Sequence, residues 1–378
     1  MYTSKKDLLD DQKRNGIIPS TDKYMSTVRR IHRTSGTTGQ PLYIAMNERD
    51  IDVITEIGAR CFRNAGVTNG MKVVHCLNYR LWTGGMLDAQ SLQRAGACLI
   101  PFGVGGTKEL IETIMRLKIE AISCTPSYMS VIEKILKEEF SMEPHQLGLK
   151  LGLFGGEGGL QNPEFRNAIE SKWNIIAIDA NYGSADSVSM FASENFLSKD
   201  GLTFVASDYM EFKLIDKDLN EVQIDEGAVG ELVISTKWEG GLIKRKNYRM
   251  GDIVKIVSYF PDLKFKVIGR ADEMIVVKGL NLYPSTIQEV LGQASMEHDC
   301  SISGQLLVSK SDPIEDICLK ISYITNGETV SQEFEKQLVE YVESELTTKT
   351  GITIPTQIVE MSELISNNGK VKIISRSL

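Results

Sequence analysis

The sequence predicts an α/β protein with a large N-terminal domain of βαβ-type sheets, an antiparallel β subdomain within it, and a small α+β domain at the C-terminus. Three observations lead there. Between Val73 and Ile178, apolar strand-like runs alternate with segments of helical periodicity, the pattern of a mostly parallel sheet covered by helices. From Leu202 to Val267 the pattern changes to short alternating segments separated by turn residues. Beyond Arg270, two strand candidates and an amphipathic helix form a set of their own. The division is placed at residues 1–270 and 271–378.

The elements follow in order. After a polar N-terminal stretch, a loop dense in glycine and hydroxyls leads into the strand-like Leu42-Tyr-Ile-Ala. Leu110, Ile111, Ile114, Met115 and Leu117 recur at helical spacing, and the apolar Glu120-Ala-Ile-Ser-Cys-Thr125 reads as a strand. A second helical pattern at Met129, Ile132, Ile135 and Leu136 precedes the strands Leu151-Gly-Leu-Phe154 and Ile175-Ile-Ala-Ile178. Glu211-Phe-Lys-Leu-Ile-Asp216 and Gly230-Glu-Leu-Val-Ile-Ser235 typify the β subdomain. Strands are expected at Leu306–Val308 and Ile317–Ile324. A helix carrying Phe334, Leu338, Val342 and Leu346 on one face follows, then a lysine-bearing tail.

Composition narrows the function. Of 378 residues, 42% are hydrophobic and 24% charged, as in globular chains rather than disordered or membrane ones. No apolar run is long enough to span a bilayer, and Met1-Tyr-Thr-Ser-Lys-Lys6 lacks a signal-peptide core, so the expected location is cytoplasmic, with no membrane partner. A net charge of -8 argues against nucleic acid as a partner, because that binding rests on neutralising phosphates with Lys and Arg. The six cysteines form no Cys-x-x-Cys pair, which points to buried, reduced thiols rather than zinc or disulfides.

The strongest local signal is Arg33-Thr-Ser-Gly-Thr-Thr-Gly-Gln-Pro41. Glycines let a backbone approach a ligand closely and present successive N–H groups, and the hydroxyls of Ser35, Thr37 and Thr38 add donors, a chemistry suited to polyphosphate. The Lys-Ser/Thr pair of a Walker A loop is absent. Taken alone, the segment reads equally well as a hairpin turn.

Other segments decide between these readings. Asn181-Tyr-Gly-Ser-Ala-Asp186, Tyr248-Arg-Met-Gly-Asp252, Gly269-Arg-Ala-Asp-Glu-Met-Ile275 and Gly369-Lys-Val-Lys372 follow the loop in order. Together the five resemble the signature segments of the adenylate-forming superfamily, which includes acyl-CoA synthetases and peptide-synthetase adenylation domains. Within it the chain is most similar to phenylacetate-CoA ligases, as seen in Arg60–Val67, Leu81-Trp-Thr-Gly-Gly85, Thr125-Pro-Ser-Tyr128, Gly152-Leu-Phe-Gly-Gly-Glu157 and Val277–Pro284. The resemblance runs from about Lys5 to Lys372. The chain begins late relative to typical members, without part of their N-terminal helical region, which is expected to bear on the dimer interface or the substrate entrance.

The resemblance implies an AMP-forming acid-thiol ligase that uses ATP, Mg2+ and coenzyme A, or carrier-protein phosphopantetheine, on a small-molecule carboxylic acid, and that forms a homodimer. It assigns ATP and AMP binding to Thr34, Ser35, Gly36, Thr37, Thr38, Gly39, Gly156, Glu157, Asn181, Tyr182, Gly183, Asp252 and Arg270. Asp252 would accept from the ribose hydroxyls, Arg270 would lie near ribose and phosphates, and Lys370 would act with Arg270 as a catalytic residue on the carboxylate and α-phosphate. Asp186 would be the metal ligand. Asp272 would be the hinge about which a mobile C-terminal lid domain turns. An aromatic acyl pocket would be lined by Tyr79, Trp82, Phe154, Gly155, Gly156 and Tyr182, favouring an aryl or aryl-acetic acid.

Three departures from the family pattern stand out. Asp186 replaces a glutamate, Ala185 replaces a hydroxyl residue, and Gln40 replaces the loop lysine. Arg80 stands where the family tends to carry a small residue, so it is expected either to offset a polar substituent on the acid or to point to solvent. Two other functions stay open at this point: a stand-alone adenylating enzyme serving a carrier protein or an amine, and a degenerate nucleotide-binding protein without turnover.

Overall fold

The computed structural model describes residues 1–17, 25–34, 40–157, 160, 163–187, 190–271, 275–277, 280–298, 300–308, 317–325, 331–364, 366–367, 370–371 and 373–376. The chain separates into two compact units, Met1–Met250 with Val254–Lys266, and Gly251–Ile253 with Val267–Leu378. Among the described residues, no helix is long and apolar enough to cross a membrane.

The first unit opens with helix α1 (Lys5–Asn15), begun by a capping box in which Ser4 and Asp7 exchange hydrogen bonds. Strands β1 (Val28–Arg33) and β2 (Tyr43–Asn47) pair antiparallel, with Arg33 opposite Tyr43, so residues 34–42 connect one to the other. Helix α2 (Glu48–Asn64) follows, capped by Asn47.

A five-stranded sheet forms the centre of the unit, built from β3 (Lys72–His75), β4 (Cys98–Ile100), β5 (Ala121–Cys124), β6 (Leu151–Gly155) and β7 (Ile176–Asn181) in the order β4-β3-β5-β6-β7. Every pairing in it is parallel. Such a sheet needs helical crossovers, and α3 (Thr83–Ala95), α4 (Thr107–Leu117), α5 (Tyr128–Ile135) and α6 (Pro163–Trp173) provide them. The strands carry apolar residues on both faces because both faces are covered. One cluster gathers Val74, Leu110, Ile114, Ile122, Ile132, Phe154 and Trp173, and the other gathers Phe62, Val73, Leu92, Leu151 and Ile178.

The second sheet has seven strands in the order β11-β10-β12-β13-β14-β9-β8. They are β8 (Ala192–Glu194), β9 (Leu202–Phe204), β10 (Met210–Ile215), β11 (Glu221–Val222), β12 (Val229–Thr236), β13 (Tyr248–Ser258) and β14 (Lys264–Arg270). β10 runs antiparallel to β11 and β12, and β9 runs antiparallel to β8 and β14, as the short alternating segments predict.

The second unit contains a two-stranded ribbon, β15 (Ile275–Val277) with β16 (Leu280–Leu282), and helix α7 (Pro284–Glu297). A four-stranded sheet joins β17 (Cys300–Val308), β18 (Ile317–Thr325), β19 (Thr356–Ile358) and β22 (Ile374–Arg376) in the order β19-β18-β17-β22. Helix α8 (Gln332–Thr350) packs Leu338, Val342 and Leu346 into the same core as Ile287, Val290 and Leu319. A short hairpin of β20 (Ser366–Asn367) and β21 (Lys370–Val371) pairs Asn367 with Lys370.

The thiols do not all follow expectation. Cys61, Cys76, Cys124 and Cys300 are buried and Cys318 is intermediate, but Cys98 is exposed, because β4 is an edge strand of its sheet. All six are free.

Two buried polar groups lock the first unit. Arg166 on α6 donates to Glu194 and to the carbonyls of Leu160 and Ala177, while Glu194 also accepts from the amide of Asp179 on β7 at 2.9 Å. Breaking a buried pair leaves an uncompensated charge, so Glu194→Gln is expected to lower unfolding stability by about 3–5 kcal/mol, read as a shift in urea midpoint. His75 is fully buried at the end of β3, with Nδ1 3.0 Å from Ser123 Oγ and Nε2 3.0 Å from Gly84 O. Burial holds its pKa down to about 4, from 6.5. Between those values the unfolded chain takes up a proton that the folded one refuses, so stability is kept above pH 6.5 and falls as pH drops, by up to about 1.4 kcal/mol per unit. Urea titrations at pH 7.5 and pH 5 are expected to show this slope in the wild type and a shallower one in His75→Gln.

Candidate functional site

In a parallel sheet every strand ends on the same edge, and ligands bind beyond the carboxyl ends of the strands, where the chain reverses its direction of travel across the sheet. Here that reversal falls between β3 and β5, since the chain goes out to β4 and returns on the far side of β3. The segments that leave this edge are 76–82 after β3, 125–127 after β5, 156–157 after β6 and 182–187 after β7. They contain Tyr79, Trp82, Gly156, Glu157, Tyr182, Gly183 and Asp186 of the predicted site residues.

The turn after β3 is tightly built. Leu81 adopts a left-handed backbone, with φ of 58°, and its carbonyl accepts from Arg33 N at 2.9 Å. His32 Nδ1 lies 3.2 Å from the same oxygen. This ties the end of β1, and hence Thr34, to the strand edge. Thr34 is buried and brackets Leu42, donating from N to Leu42 O at 2.9 Å and accepting Leu42 N on Oγ1 at 3.0 Å. The remaining loop residues Ser35, Gly36, Thr37, Thr38 and Gly39 lie outside the described residues.

Tyr79 meets the ring of His75 edge-on at 5.9 Å, and its hydroxyl is buried with no hydrogen-bond partner among the described residues. Burial, with the charge of Asp88 as a lesser cause, pushes its pKa up to about 12. Trp82 is the residue before α3, and a Cβ on Gly85 would come within 2.3 Å of Asn78 O, so the turn packs directly against that helix. Arg80 is exposed.

After β6, Phe154 is buried in the core, while Gly155 lies so close to Asn181 that a Cβ there would be 2.6 Å from the Asn181 Cβ. Gly156 and Glu157 are exposed, and the Glu157 carboxylate accepts from Ser127 Oγ at 2.9 Å. At the end of β7, Asn181 donates to Asp88, and the next residue, Tyr182, packs edge-on between Phe191 and Phe265 at 5.4 and 5.3 Å. Gly183 is half-buried beside them.

Asp186 is the most constrained acid of this edge. Its carboxylate accepts from Ser184 Oγ and lies 3.4 Å from the Lys5 ammonium, and its carbonyl accepts from Arg245 Nε at 2.7 Å. Among the described residues, no group of three or more His, Cys, Asp or Glu could hold a metal ion. A single hard carboxylate still fits magnesium, which takes one or two protein carboxylates and fills its remaining positions with water and phosphate oxygens. Ala185 adds no ligand.

The Tyr248-Arg-Met-Gly-Asp252 segment is held residue by residue. Tyr248 is buried, and Arg249 grips Glu231 with both Nε and Nη2, the latter at 2.7 Å. The segment before it is pinned by Asp50, which accepts from Trp238 Nε1 at 3.0 Å, Leu242 N at 2.8 Å and Ile243 N at 3.2 Å. Within the second unit, Asp252 pairs with Arg270 at 2.9 Å, and Gly251 turns the chain with φ of 77°. Lys370 lies on β21, and Asp272 lies outside the described residues. Lys5, Arg245, Asp50 and Glu231 were not foreseen, because each reaches its partner from a distant part of the chain.

Comparison with known proteins adds the following. No family model matches the chain. It is 31% identical over 297 residues to the phenylacetate-coenzyme A ligase of Aromatoleum evansii, covering 77% of this chain and 64% of that protein. It is 32% identical over 266 residues to the phenylacetate-coenzyme A ligase of Pseudomonas putida, covering 69% of this chain and 59% of that one. Less than two thirds of the length of each of these relatives is therefore matched. Among solved structures, a 2-hydroxyisobutyryl-CoA ligase in the postadenylation state superposes with a TM-score of 0.81 at 19% identity, covering all of this chain and 80% of that one.

Gly251 provides a direct test of the acid–guanidinium pair. A Cβ there would lie 2.5 Å from Arg270 Nη2 and would force a side chain into a left-handed backbone. Gly251→Ala is expected to lower stability by about 1–3 kcal/mol, seen as a lower melting temperature; an unchanged melt would show that the turn is relaxed.

Proposed function

Since this chain is homologous to the phenylacetate-coenzyme A ligases and has the fold of adenylate-forming enzymes, we propose that it couples ATP to the activation of an aryl or aryl-acetic acid and passes the acyl group to coenzyme A. The observation that carries this reading is the match to ligases of that name over 77% of the chain. The geometry supports it: Thr34, Tyr79, Trp82, Gly156, Glu157 and the 181–186 segment border one edge of a parallel sheet, as a small-molecule site requires.

A carboxylate is a poor electrophile. In the first step a carboxylate oxygen bonds to the α-phosphorus of ATP, the bond to the bridging oxygen breaks, and pyrophosphate leaves. In the second, the thiolate bonds to the acyl carbon, the acyl–oxygen bond breaks, and AMP leaves. The obstacle in the first step is crowding of negative charge, so fixed cations and donors are the means of catalysis. Magnesium, when bound, would neutralise phosphate oxygens; Asp186 and the Ser184 hydroxyl are the groups suited to hold it.

In this reading Asp252, oriented by Arg270, accepts from the ribose hydroxyls, and Lys370 acts on the carboxylate and α-phosphate. Asp272 is the hinge of a lid spanning 271–378. The Tyr79 hydroxyl faces the acyl group and favours an acid that offers it a hydrogen bond, because an unpaired buried hydroxyl is costly. Free coenzyme A, rather than a carrier protein, is the acceptor, and the active form is a homodimer.

Pyrophosphate release is expected with arylacetic acids and ATP, followed by thioester formation with free coenzyme A. Lys370→Ala is expected to lower acid-dependent exchange between ATP and pyrophosphate by about a hundredfold or more while leaving ATP affinity nearly unchanged, because a group acting on the transition state affects turnover more than binding. Exchange that needs no acid, or a mutant as active as the wild type, would count against the assignment.

A further inference from the structure

Helix α1 is fastened at both ends. Before it, Thr3 lies alongside the start of β13, donating from N to Asn247 O at 3.0 Å and accepting from Arg249 N at 2.8 Å. At the other end, the Gln12 carboxamide brackets Tyr43, accepting its amide at 3.1 Å and donating to its carbonyl. Between these anchors, Lys5 directs its ammonium to within 3.4 Å of the Asp186 carboxylate. Gln12 follows Lys5 by seven residues, a rise of about 10 Å along a helix. Asp186 therefore lies about one short helix from Tyr43, at the base of the Thr34–Leu42 connection.

Beyond Arg33, the two signature segments at this corner bring no positive charge of their own. The glycine-and-hydroxyl loop carries Gln40 rather than a lysine, and Ala185 brings neither charge nor hydroxyl. Arg245 is committed to the Asp186 carbonyl through Nε. An uncompensated Asp186 carboxylate would repel a polyphosphate placed beside it. Lys5 is about a third exposed, whereas Asp186 is largely buried, so the ammonium stands on the solvent side of the acid.

We infer that Lys5 is a positioning residue of the nucleotide site, the counter-ion that holds the Asp186 carboxylate and lends a positive charge to the polyphosphate next to it. This rests on the ligase reading above. Lysine suits the task because its ammonium is a compact point charge on a long stem, able to serve a carboxylate and a phosphate together.

The test compares ATP binding by wild type, Lys5→Met and Lys5→Arg, by calorimetry, once in EDTA and once in saturating magnesium. Lys5→Met is expected to weaken ATP binding in EDTA by about ten- to a hundredfold, the range for a hydrogen bond to a charged group, with a smaller loss in magnesium. Lys5→Arg is expected to restore most of the affinity. Thermal melting of each variant shows that the fold is kept. Equal affinity of Lys5→Met and wild type in EDTA would overturn the inference, as would a loss that is the same with and without magnesium and is shared by Lys5→Arg. Wild type that binds no ATP in either condition would overturn the ligase reading and this inference together, and the wild-type titration alone reveals that case.

Discussion

The parallel pairing of β3, β5, β6 and β7 is the constraint on which the rest of the first unit depends. Parallel strands cannot be joined by tight turns, so each must be followed by a crossover on the covered faces of the sheet. Every crossover starts from the same edge. Segments far apart in the chain, Cys76–Trp82, Thr125–Ser127, Gly156–Glu157 and Tyr182–Ser187, are thereby delivered to one border without any specific contact having to bring them there. Apolar burial on both faces maintains the pairing, and chemistry can vary at the edge with little effect on the core.

Within each unit, charges are joined in pairs. Arg166 with Glu194, Arg249 with Glu231, Arg270 with Asp252 and Lys5 with Asp186 each join residues distant in sequence. Most of these pairs are partly buried, where orientation matters more than raw attraction, because desolvation offsets much of the Coulomb gain. Their main contribution is to fix where a carboxylate points. That is what a site needs if it is to meet a polyphosphate without rearranging.

Much of the architecture was legible in the sequence because its signals are local. The apolar run Ala-Ile-Ser-Cys reads as a strand and is one, buried throughout, and the four-residue spacing of Leu338, Val342 and Leu346 reads as a helical stripe and is buried as one. The order of the signature segments also led to the ends of β6 and β7, where Gly156 and Tyr182-Gly183 follow the strands. Helix α1 escaped notice because no residue of it is buried and its apolar content is slight; its capping box, Ser4 with Asp7, was the available sign. The partners of Asp186 and Asp50 were illegible for a different reason. Lys5 and Trp238 become neighbours of those acids only through tertiary packing, and no periodicity encodes it. Phe154, expected in the wall of an acyl pocket, is buried in a core cluster beside Gly152.

Trp238 gives the molecule an optical handle. Its indole N–H is bonded to a buried acid that also clasps the backbone of Leu242 and Ile243, so its excited state experiences a fixed acceptor at hydrogen-bonding distance. Release of that clasp would bring water to the ring and move its emission to longer wavelength. With Trp82 and Trp173 substituted, the segment that leads into Tyr248 would report its own docking by Trp238 emission, without any attached label.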